Sequence, residues 1–195
     1  ILEGLVPQNS AHSSNVGAIR IGQRVGAERL HTMLRRFGFG RPTGIDLPDE
    51  QDGIIPSDEW LAEQGLRFYA GETVSISIGQ GRLAVSPLQL AHLAAVAATG
   101  FVRQPHLLAR VEASSLGRGA ARSWAGETAP AAFAEQTRRA VLRGMTGSVN
   151  YGTSRRARLR PIQVGGKTGT AQVASAENVA RDNEDRPEHL RNHAW

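Results

Sequence analysis

The chain has 195 residues, the size of about one domain, and 40% of them are hydrophobic, so it can bury a core and is not a disordered chain. Cysteine is absent, which excludes disulfides and cysteine-based nucleophiles or metal sites. The net charge of +5 suits an anionic partner only weakly because the excess is small. Among the 23 basic residues, Lys167 is the single lysine. Arginine cannot replace the lysine ammonium in proton transfer, so the retention of one lysine indicates a chemical role for it.

The two ends of the sequence are unusual for a natural domain. The first residue is Ile1, without a methionine or a signal peptide, and residues 192–195 end the chain where an apolar segment begins. We therefore expect an internal fragment of a longer protein, with any targeting or anchoring segment lying outside it.

The first predicted element is an amphipathic helix over residues 13–37, with arginines between apolar residues at helical spacing. Gly38 and Gly40 end it. Three internal glycines are expected to break it into two pieces: Gly17, Gly22 and Gly26. Residues 41–82 follow as a turn-rich segment without strong periodicity, which in a compact domain is usually functional.

Residues 86–99 form a clear helix that is apolar nearly all round, which predicts a buried helix. We then expect a strand over 101–112, an amphipathic helix over 130–146 and a strand over 162–174. Residues 175–192 are polar and charged and are predicted to be a mobile loop. Because helices and strands do not alternate strictly, the fold class is predicted to be α+β.

The segment around Lys167 allows two interpretations. Gly166-Lys167-Thr168 resembles part of a phosphate-binding loop, but that pattern needs a glycine where this chain has Pro161, and the following residues favour a strand over a helix. As a strand, the segment would place Lys167 and Gly169 on one face. Its small residues would let an extended peptide pair with its edge, and an ammonium beside hydroxyls would suit a carboxylate.

The triplet Ser13-Ser14-Asn15 stands at a predicted helix start. Ser and Asn are ordinary N-cap residues, so capping is the simplest interpretation of the triplet taken alone. Together with the distant Lys-Thr-Gly, however, Ser-x-Asn makes up two of the three motifs of β-lactamases and penicillin-binding proteins.

The segments between these two motifs strengthen the likeness. They read, in order, Arg-Phe-Gly-Phe-Gly at 36–40, Thr-Gly-Ile-Asp-Leu-Pro at 43–48, Ser-Ile-Gly-Gln-Gly at 77–81, Ser-Pro-Leu-Gln-Leu-Ala at 86–91 and Gly-Lys-Thr-Gly-Thr-Ala-Gln at 166–172. The chain closely resembles a class B penicillin-binding protein transpeptidase domain over nearly its whole length. Gly71-Glu72-Thr73 and the terminal His-Ala-Trp favour the cell-elongation type, whereas residues 13–17 look more like the division type.

The resemblance implies a partial serine-transpeptidase fold, in which a helical subdomain packs on an antiparallel sheet truncated at both ends. Residues 1–195 would all belong to one transpeptidase domain. The family reaction is acyl transfer by an activated serine that attacks a D-Ala-D-Ala peptide bond of peptidoglycan. By resemblance, Ser13 would pass a proton toward the leaving amine, and Lys167 would supply positive potential near Ser13 and toward the substrate carboxylate.

The remaining residues of the two motifs would bind substrate. By resemblance, Asn15 would hold the substrate backbone through its amide. Thr168 and Thr170 would bind the substrate carboxylate or position the strand, and Gly169 would leave room for the acyl chain. The backbone N–H of Thr170 would be one donor of the oxyanion hole. Gly79-Gln80-Gly81 is most simply a tight turn, which the family places near the active-site cleft.

One departure from the family pattern is decisive for activity. The family's nucleophile is the Ser of a Ser-x-x-Lys motif upstream of Ser-x-Asn, but the single lysine of this chain is preceded three positions earlier by Val164. The nucleophile is therefore not in this chain. We expect the fragment alone to be inactive and unreactive toward penicillin, whereas the whole protein would be a D,D-transpeptidase.

The resemblance also implies partners and a location. The implied partners are the stem peptide, β-lactam antibiotics and a SEDS-family glycan polymerase in the membrane. The implied location is the outer face of the cytoplasmic membrane, where an N-terminal anchor absent from this chain would hold the protein. No cofactor is expected. The alternative is a non-catalytic homologue that binds peptides or a protein partner.

Nucleic-acid and metal sites are not predicted. The basic cluster at 155–160 has no interleaved aromatic residues and is expected to be a solvated loop. His189 and His193 have i, i+4 spacing without the glutamate of a zinc protease helix between them.

Overall fold

A computed structural model describes residues 5–112, 122–123, 126–131, 133–171 and 193–194. The helices of this part are α1 (Leu5–His12), α2 (Asn15–Val25), α3 (Ala27–Arg36), α4 (Asp58–Glu63), α5 (Ala70–Ser77), α6 (Pro87–Thr99) and α7 (Glu135–Asn150). The strands are β1 (Phe101–Arg103), β2 (Arg110–Val111), β3 (Arg122–Ser123), β4 (Thr128–Pro130), β5 (Thr170–Ala171) and β6 (His193–Ala194). The predicted loop at 175–192 lies outside the described residues.

The strands pair in three antiparallel ladders, β1 with β4, β2 with β3 and β5 with β6. Helices dominate the described part and are not interleaved with parallel strands. The predicted α+β class is confirmed. Within the described residues, no helix is both long enough and apolar enough to cross a bilayer.

The first predicted helix is broken into α2 and α3, as its glycines indicated. The break falls at Gly26, whose φ of 84° lies in the region that glycine adopts at little cost. Gly22 stays inside α2 and lies directly against Ser77 of α5, where a Cβ atom would overlap the serine side chain. The small residue thus lets α2 and α5 approach closely.

The turn-rich segment 41–82 contains two helices that the sequence analysis missed. Ser57 caps α4 by accepting a hydrogen bond from the Trp60 N–H at 3.3 Å, and two acidic residues follow it in the first turn. These capping signals were present in the sequence, but the helix is only six residues long and too short for periodicity. The second missed helix is α5.

The helix beginning at Pro87 is confirmed, with a capping box between Ser86 and Gln89. The prediction that it is buried nearly all round is wrong. Its fully buried residues are Gln89 and Val96, while Leu90 is 38% exposed. Gln89 is buried because its amide donates to the backbone carbonyls of Arg41 and Asp52.

The strand predicted over 101–112 is two short strands, β1 and β2, in different ladders. Between the two strands, the Asp46 carboxylate binds the backbone. It accepts hydrogen bonds from the N–H groups of Leu107 at 2.6 Å and Leu108 at 2.9 Å. These two bonds lower the pKa of Asp46. A loop that satisfies its backbone through a side chain has no need of a ladder.

The last two predicted elements differ in extent. Helix α7 begins at Glu135 rather than near 130, because Thr128–Pro130 pair with β1. Of the strand predicted over 162–174, only Thr170–Ala171 form a ladder among the described residues. The Gly166 N–H instead donates to the carbonyl of Met145 in α7, at 3.1 Å.

Helices α1 and α7 form the main helical contact of the structure. Their close approach depends on Gly144 in α7, where a Cβ atom would lie 2.6 Å from Ser10 Cβ and 3.2 Å from Pro7 Cα. Beside this contact, Ala11 and Val149 are almost completely buried. The contact fixes where the C-terminal end of α1 lies.

We expect Gly144→Ala to lower the free energy of unfolding by about 1–3 kcal/mol, because the added methyl group forces α1 and α7 apart. The matched control is Gly71→Ala in α5, where a Cβ atom meets nothing within 4 Å. That change is expected to be neutral or stabilising by about 0.4–1 kcal/mol. Urea denaturation followed by circular dichroism measures both, and equal effects of the two substitutions would contradict the role of Gly144.

Candidate functional site

Ser13 lies at the junction between α1 and α2 in an uncommon backbone conformation. Its φ is 52°, in the left-handed region that residues other than glycine rarely adopt. The adjacent Ser14, and not Ser13, caps α2 by accepting the N–H of Gly17 at 3.3 Å. The capping interpretation therefore applies to Ser14, and the hydroxyl of Ser13 is left for another partner. Asn15 is the first residue of α2 and is exposed.

That partner is Lys167, 154 residues later in the sequence. Its Nζ donates to Ser13 Oγ at 2.7 Å and to the backbone carbonyl of Thr168 at 2.7 Å. Both acceptors are uncharged oxygens. The structure thus brings together the two motifs that the sequence analysis singled out.

The environment of Lys167 changes its proton affinity. Partial burial disfavours the charged ammonium and lowers the pKa of Lys167 from its usual value near 10.5. The hydroxyl of Ser13 can accept from the ammonium and donate its own proton elsewhere. The pair can therefore pass a proton while keeping positive potential at this point of the surface.

The segment carrying Lys167 is held by the loop that follows α7. The Oγ1 atoms of Thr168 and Thr153 are 3.1 Å apart and share a hydrogen bond. The backbone N–H of Thr153 donates to the carbonyl of Ala11, at 3.2 Å, near the end of α1. Thr153 therefore contacts both sides of the site, two residues before Ser13 and one residue after Lys167.

A small hydroxyl cluster lies behind Thr153. Ser148 in α7 is completely buried, and its Oγ is 2.7 Å from Ser154 Oγ and 3.4 Å from Thr153 Oγ1. Each hydroxyl can donate and accept, so the cluster satisfies its own polar atoms inside the helix contact. Thr153 and Ser148 were not identified from the sequence. Their only signal is a pair of ordinary hydroxyl residues near a glycine, which is too common to indicate a site.

The last residues of the site start strand β5. Gly169 is exposed, and a Cβ atom there would meet nothing within 4 Å, so this face of the segment is open. Thr170 pairs with Ala194 of β6. Its carbonyl accepts a hydrogen bond from the Gln80 side-chain amide at 2.7 Å. From the sequence, Gln80 was expected in a tight turn that the family places near the active-site cleft, but its contact with Thr170 was not predicted.

The described residues also bear on the phosphate-binding, metal-binding and nucleic-acid-binding interpretations of the sequence. The chain after Lys167 forms β5 and not the N-terminus of a helix, which argues against a phosphate-binding loop. No group of three or more His, Asp or Glu side chains suited to a metal occurs in the described part of the chain. The basic cluster contains a 3₁₀ turn, Arg155–Ala157, and is exposed.

Comparison with known proteins gives one consistent family. The model for the penicillin binding protein transpeptidase domain matches residues 8–195. Peptidoglycan D,D-transpeptidase MrdA of Acinetobacter baumannii is 33% identical over 171 residues, which are 84% of this chain and 24% of that protein. Penicillin-binding protein PbpB of Mycobacterium tuberculosis is 35% identical over 171 residues, 82% of this chain and 23% of that protein.

A solved complex between the penicillin-binding protein PBP2 and MreC from Helicobacter pylori is similar in structure, with a TM-score of 0.75 and 29% identity. The similarity covers 97% of this chain and 32% of that chain. The chain spans about a quarter of the length of the curated relatives it matches.

We expect the Lys167 amine to become reactive at a lower pH in the folded chain than in urea, because burial lowers its pKa. Because Lys167 is the single lysine, the peptide that contains it reports its acetylation separately from that of the N-terminal amine. Acetylation by an activated ester, followed by peptide mass spectrometry across a pH series, measures the midpoint. The shift should persist in Ser13→Ala, since burial and not the hydrogen bond causes it. Identical midpoints in the folded and unfolded chain would contradict this prediction.

The same shift affects stability. Between the folded pKa of Lys167 and its unfolded value near 10.5, the unfolded chain binds more protons than the folded one. The contribution of Lys167 to the free energy of unfolding therefore rises with pH through that window.

Proposed function

We propose that this chain, which belongs to the penicillin-binding protein transpeptidase family, is part of a peptidoglycan D,D-transpeptidase. The observation that carries the proposal is the hydrogen bond from Lys167 Nζ to Ser13 Oγ at 2.7 Å. It joins two motifs that lie far apart in the sequence at one point of the surface, with the open face at Gly169 beside them.

In the proposed reaction, a serine hydroxyl attacks the carbonyl between the two D-Ala residues of a stem peptide. The hydroxyl proton leaves, an ester to the serine forms, and the terminal D-Ala departs as its amine takes up a proton. An amine of a neighbouring stem peptide then attacks the ester and releases the serine. The nucleophile belongs to a Ser-x-x-Lys motif in the part of the protein outside this chain.

Ser13 and Lys167 are proposed to transfer the proton that the departing amine takes up. The Ser13 hydroxyl donates to the departing amine of D-Ala and is replenished through its hydrogen-bonded neighbours. Lys167 remains within hydrogen-bonding distance of Ser13 Oγ, and its positive charge favours a carboxylate near the open face at Gly169. The lowered pKa of Lys167 supports a role in proton transfer.

The other motif residues are proposed to bind the substrate. Asn15, exposed at the start of α2, holds the substrate backbone through its amide. Thr168 and Thr170 bind the terminal carboxylate or position the strand, and the missing side chain of Gly169 leaves room for the acyl group. The backbone N–H of Thr170 is one oxyanion donor, and the nucleophile's own N–H is the other.

The setting of the whole protein is proposed on the same basis. Residues 1–195 form part of one transpeptidase domain on the outer face of the cytoplasmic membrane, held there by an N-terminal anchor outside this chain. β-Lactams acylate the same serine. We favour the cell-elongation type from Gly71-Glu72-Thr73, and propose a SEDS-family glycan polymerase as partner. The complex of the similar PBP2 with MreC supports a protein partner.

The decisive experiment is to sequence the source DNA on both sides of this segment and then to express the complete protein. We expect an upstream Ser-x-x-Lys, and a stoichiometric penicilloyl adduct on its serine by intact-mass spectrometry. Replacing that serine with alanine is the control and should abolish the adduct. The 195-residue chain alone should form none.

Two outcomes would overturn the proposal in different ways. If the reading frame lacks Ser-x-x-Lys, acyl transfer is excluded and the chain is a non-catalytic module that binds peptides or a partner. If the 195-residue chain itself forms the adduct, the nucleophile is internal and the role given to Ser13 is wrong.

Adjacent serines provide a matched test of the proton-transfer role in the complete protein. Ser13→Ala should slow acylation by about 100- to 1,000-fold with little effect on stability, because it removes the relay hydroxyl. Ser14→Ala should lower the free energy of unfolding by about 0.5–2 kcal/mol through loss of the α2 cap, with acylation nearly unchanged. Similar acylation rates of the two variants would contradict the assignment of Ser13.

A further inference from the structure

The Gln80 side chain makes a long-range contact with the segment of the site. Its Nε2 donates to the Thr170 carbonyl at 2.7 Å, across 90 residues of sequence. Thr170 lies at the start of β5, three residues after Lys167. The contact therefore joins the turn after α5 to the strand that would bind the substrate.

The backbone of Gln80 is fixed by its own turn. Its N–H donates to the Ser75 carbonyl at 2.9 Å, and the neighbouring Gly79 N–H donates to Ile76 at 3.0 Å. Gly79 and Gly81 have φ values of 70° and 79°, which favour glycine at both positions. Because these hydrogen bonds fix the backbone of Gln80, its side chain extends from a defined position.

An ion pair secures the turn on its other side. Arg82, which directly follows the turn, contacts the carboxylate of Glu72 in α5. Glu72 is only 5% exposed, and breaking such a pair would leave a buried charge without compensation. The turn that carries Gln80 is thus attached to α5 at both ends, and α5 in turn packs on α2.

The direction of the Thr170 carbonyl also fixes the direction of the Thr170 N–H group. In an extended residue of an antiparallel ladder, the N–H and C=O point to the same side of the strand. Holding the Thr170 carbonyl toward Gln80 therefore also directs the Thr170 N–H. Under the proposed function, that N–H is an oxyanion donor.

We propose that Gln80 is a positioning residue that fixes Thr170 so that its N–H faces the oxygen of the reacting carbonyl. This inference rests on the proposed function for its catalytic consequence. Gln80 acts through Thr170 and touches no reacting atom. A competing interpretation is that the Gln80 amide occupies an acceptor needed by the substrate, in which case its removal would speed the reaction. The rigid attachment of the turn to α5 favours positioning.

The test uses the complete protein and two variants of different chemistry. Gln80→Ala removes the amide, and Gln80→Glu keeps the length but replaces the donor with an acceptor-only carboxylate. Stopped-flow acylation by a chromogenic cephalosporin separates the binding constant from the acylation rate constant. Gln23→Ala, at an exposed position of α2, is the matched control.

We expect both Gln80 variants to lower the acylation rate constant by about 10- to 100-fold, because a misdirected oxyanion donor loses most of its effect. The binding constant should change by less than about 3-fold, since Gln80 does not hold the substrate itself. Gln23→Ala should match the wild type. An unchanged or increased rate constant in Gln80→Ala would overturn the proposal, and an increase would assign Gln80 to the occupied acceptor.

Hydrogen exchange separates this inference from the proposed function. In Gln80→Ala, amides at 166–171 should exchange faster, while those of α6 should not change. Faster exchange confined to this segment supports the placement of Thr170 by Gln80, even where the wild type itself is not acylated and the proposed function fails. Unchanged exchange at 166–171 would overturn the inference whatever the activity.

Discussion

The hydrogen bond between Lys167 and Ser13 depends on the packing of α1 against α7. Ser13 directly follows α1, and the segment that carries Lys167 is attached to α7 through the bond from the Gly166 N–H to the Met145 carbonyl. Gly144 permits this packing because any side chain there would meet the backbone of α1. The loop after α7 then returns to α1 through Thr153 and Ala11. The geometry of two side chains is thus decided by a helix contact.

The segment that carries Lys167 has little structure of its own. Its ladder is limited to Thr170–Ala171 among the described residues, and its other contacts come from α7, from the loop after α7 and from the turn after α5. Met145 in α7 accepts the N–H of Gly166, Thr153 binds the Thr168 hydroxyl, and Gln80 binds the Thr170 carbonyl. Three attachments from two directions define the segment's position more firmly than two ladder residues could.

Burial and hydrogen bonding act in opposite directions on Lys167. Partial burial lowers the pKa of the ammonium, while its two acceptor oxygens satisfy its protons. The result is an ammonium that remains hydrogen-bonded yet gives up a proton more easily than a fully hydrated lysine would. Arginine, which supplies the other 22 basic residues, could not do this because its guanidinium does not deprotonate in proteins.

The sequence by itself determined the α+β class and the helix beginning at Pro87, because each depends on local chemistry. The meeting of Ser-x-Asn with Lys-Thr-Gly was implied only by the family resemblance that the order of the motifs carries. The sequence did not reveal α4 and α5, which are too short for helical periodicity to be measured. The motif already placed Ser13 near Lys167 by resemblance, but only the tertiary structure showed that the neighbouring Ser14 is the residue that caps α2. The tertiary structure also decided the contact of Gln80 with Thr170, because a hydrogen bond across 90 residues leaves no local pattern in either segment.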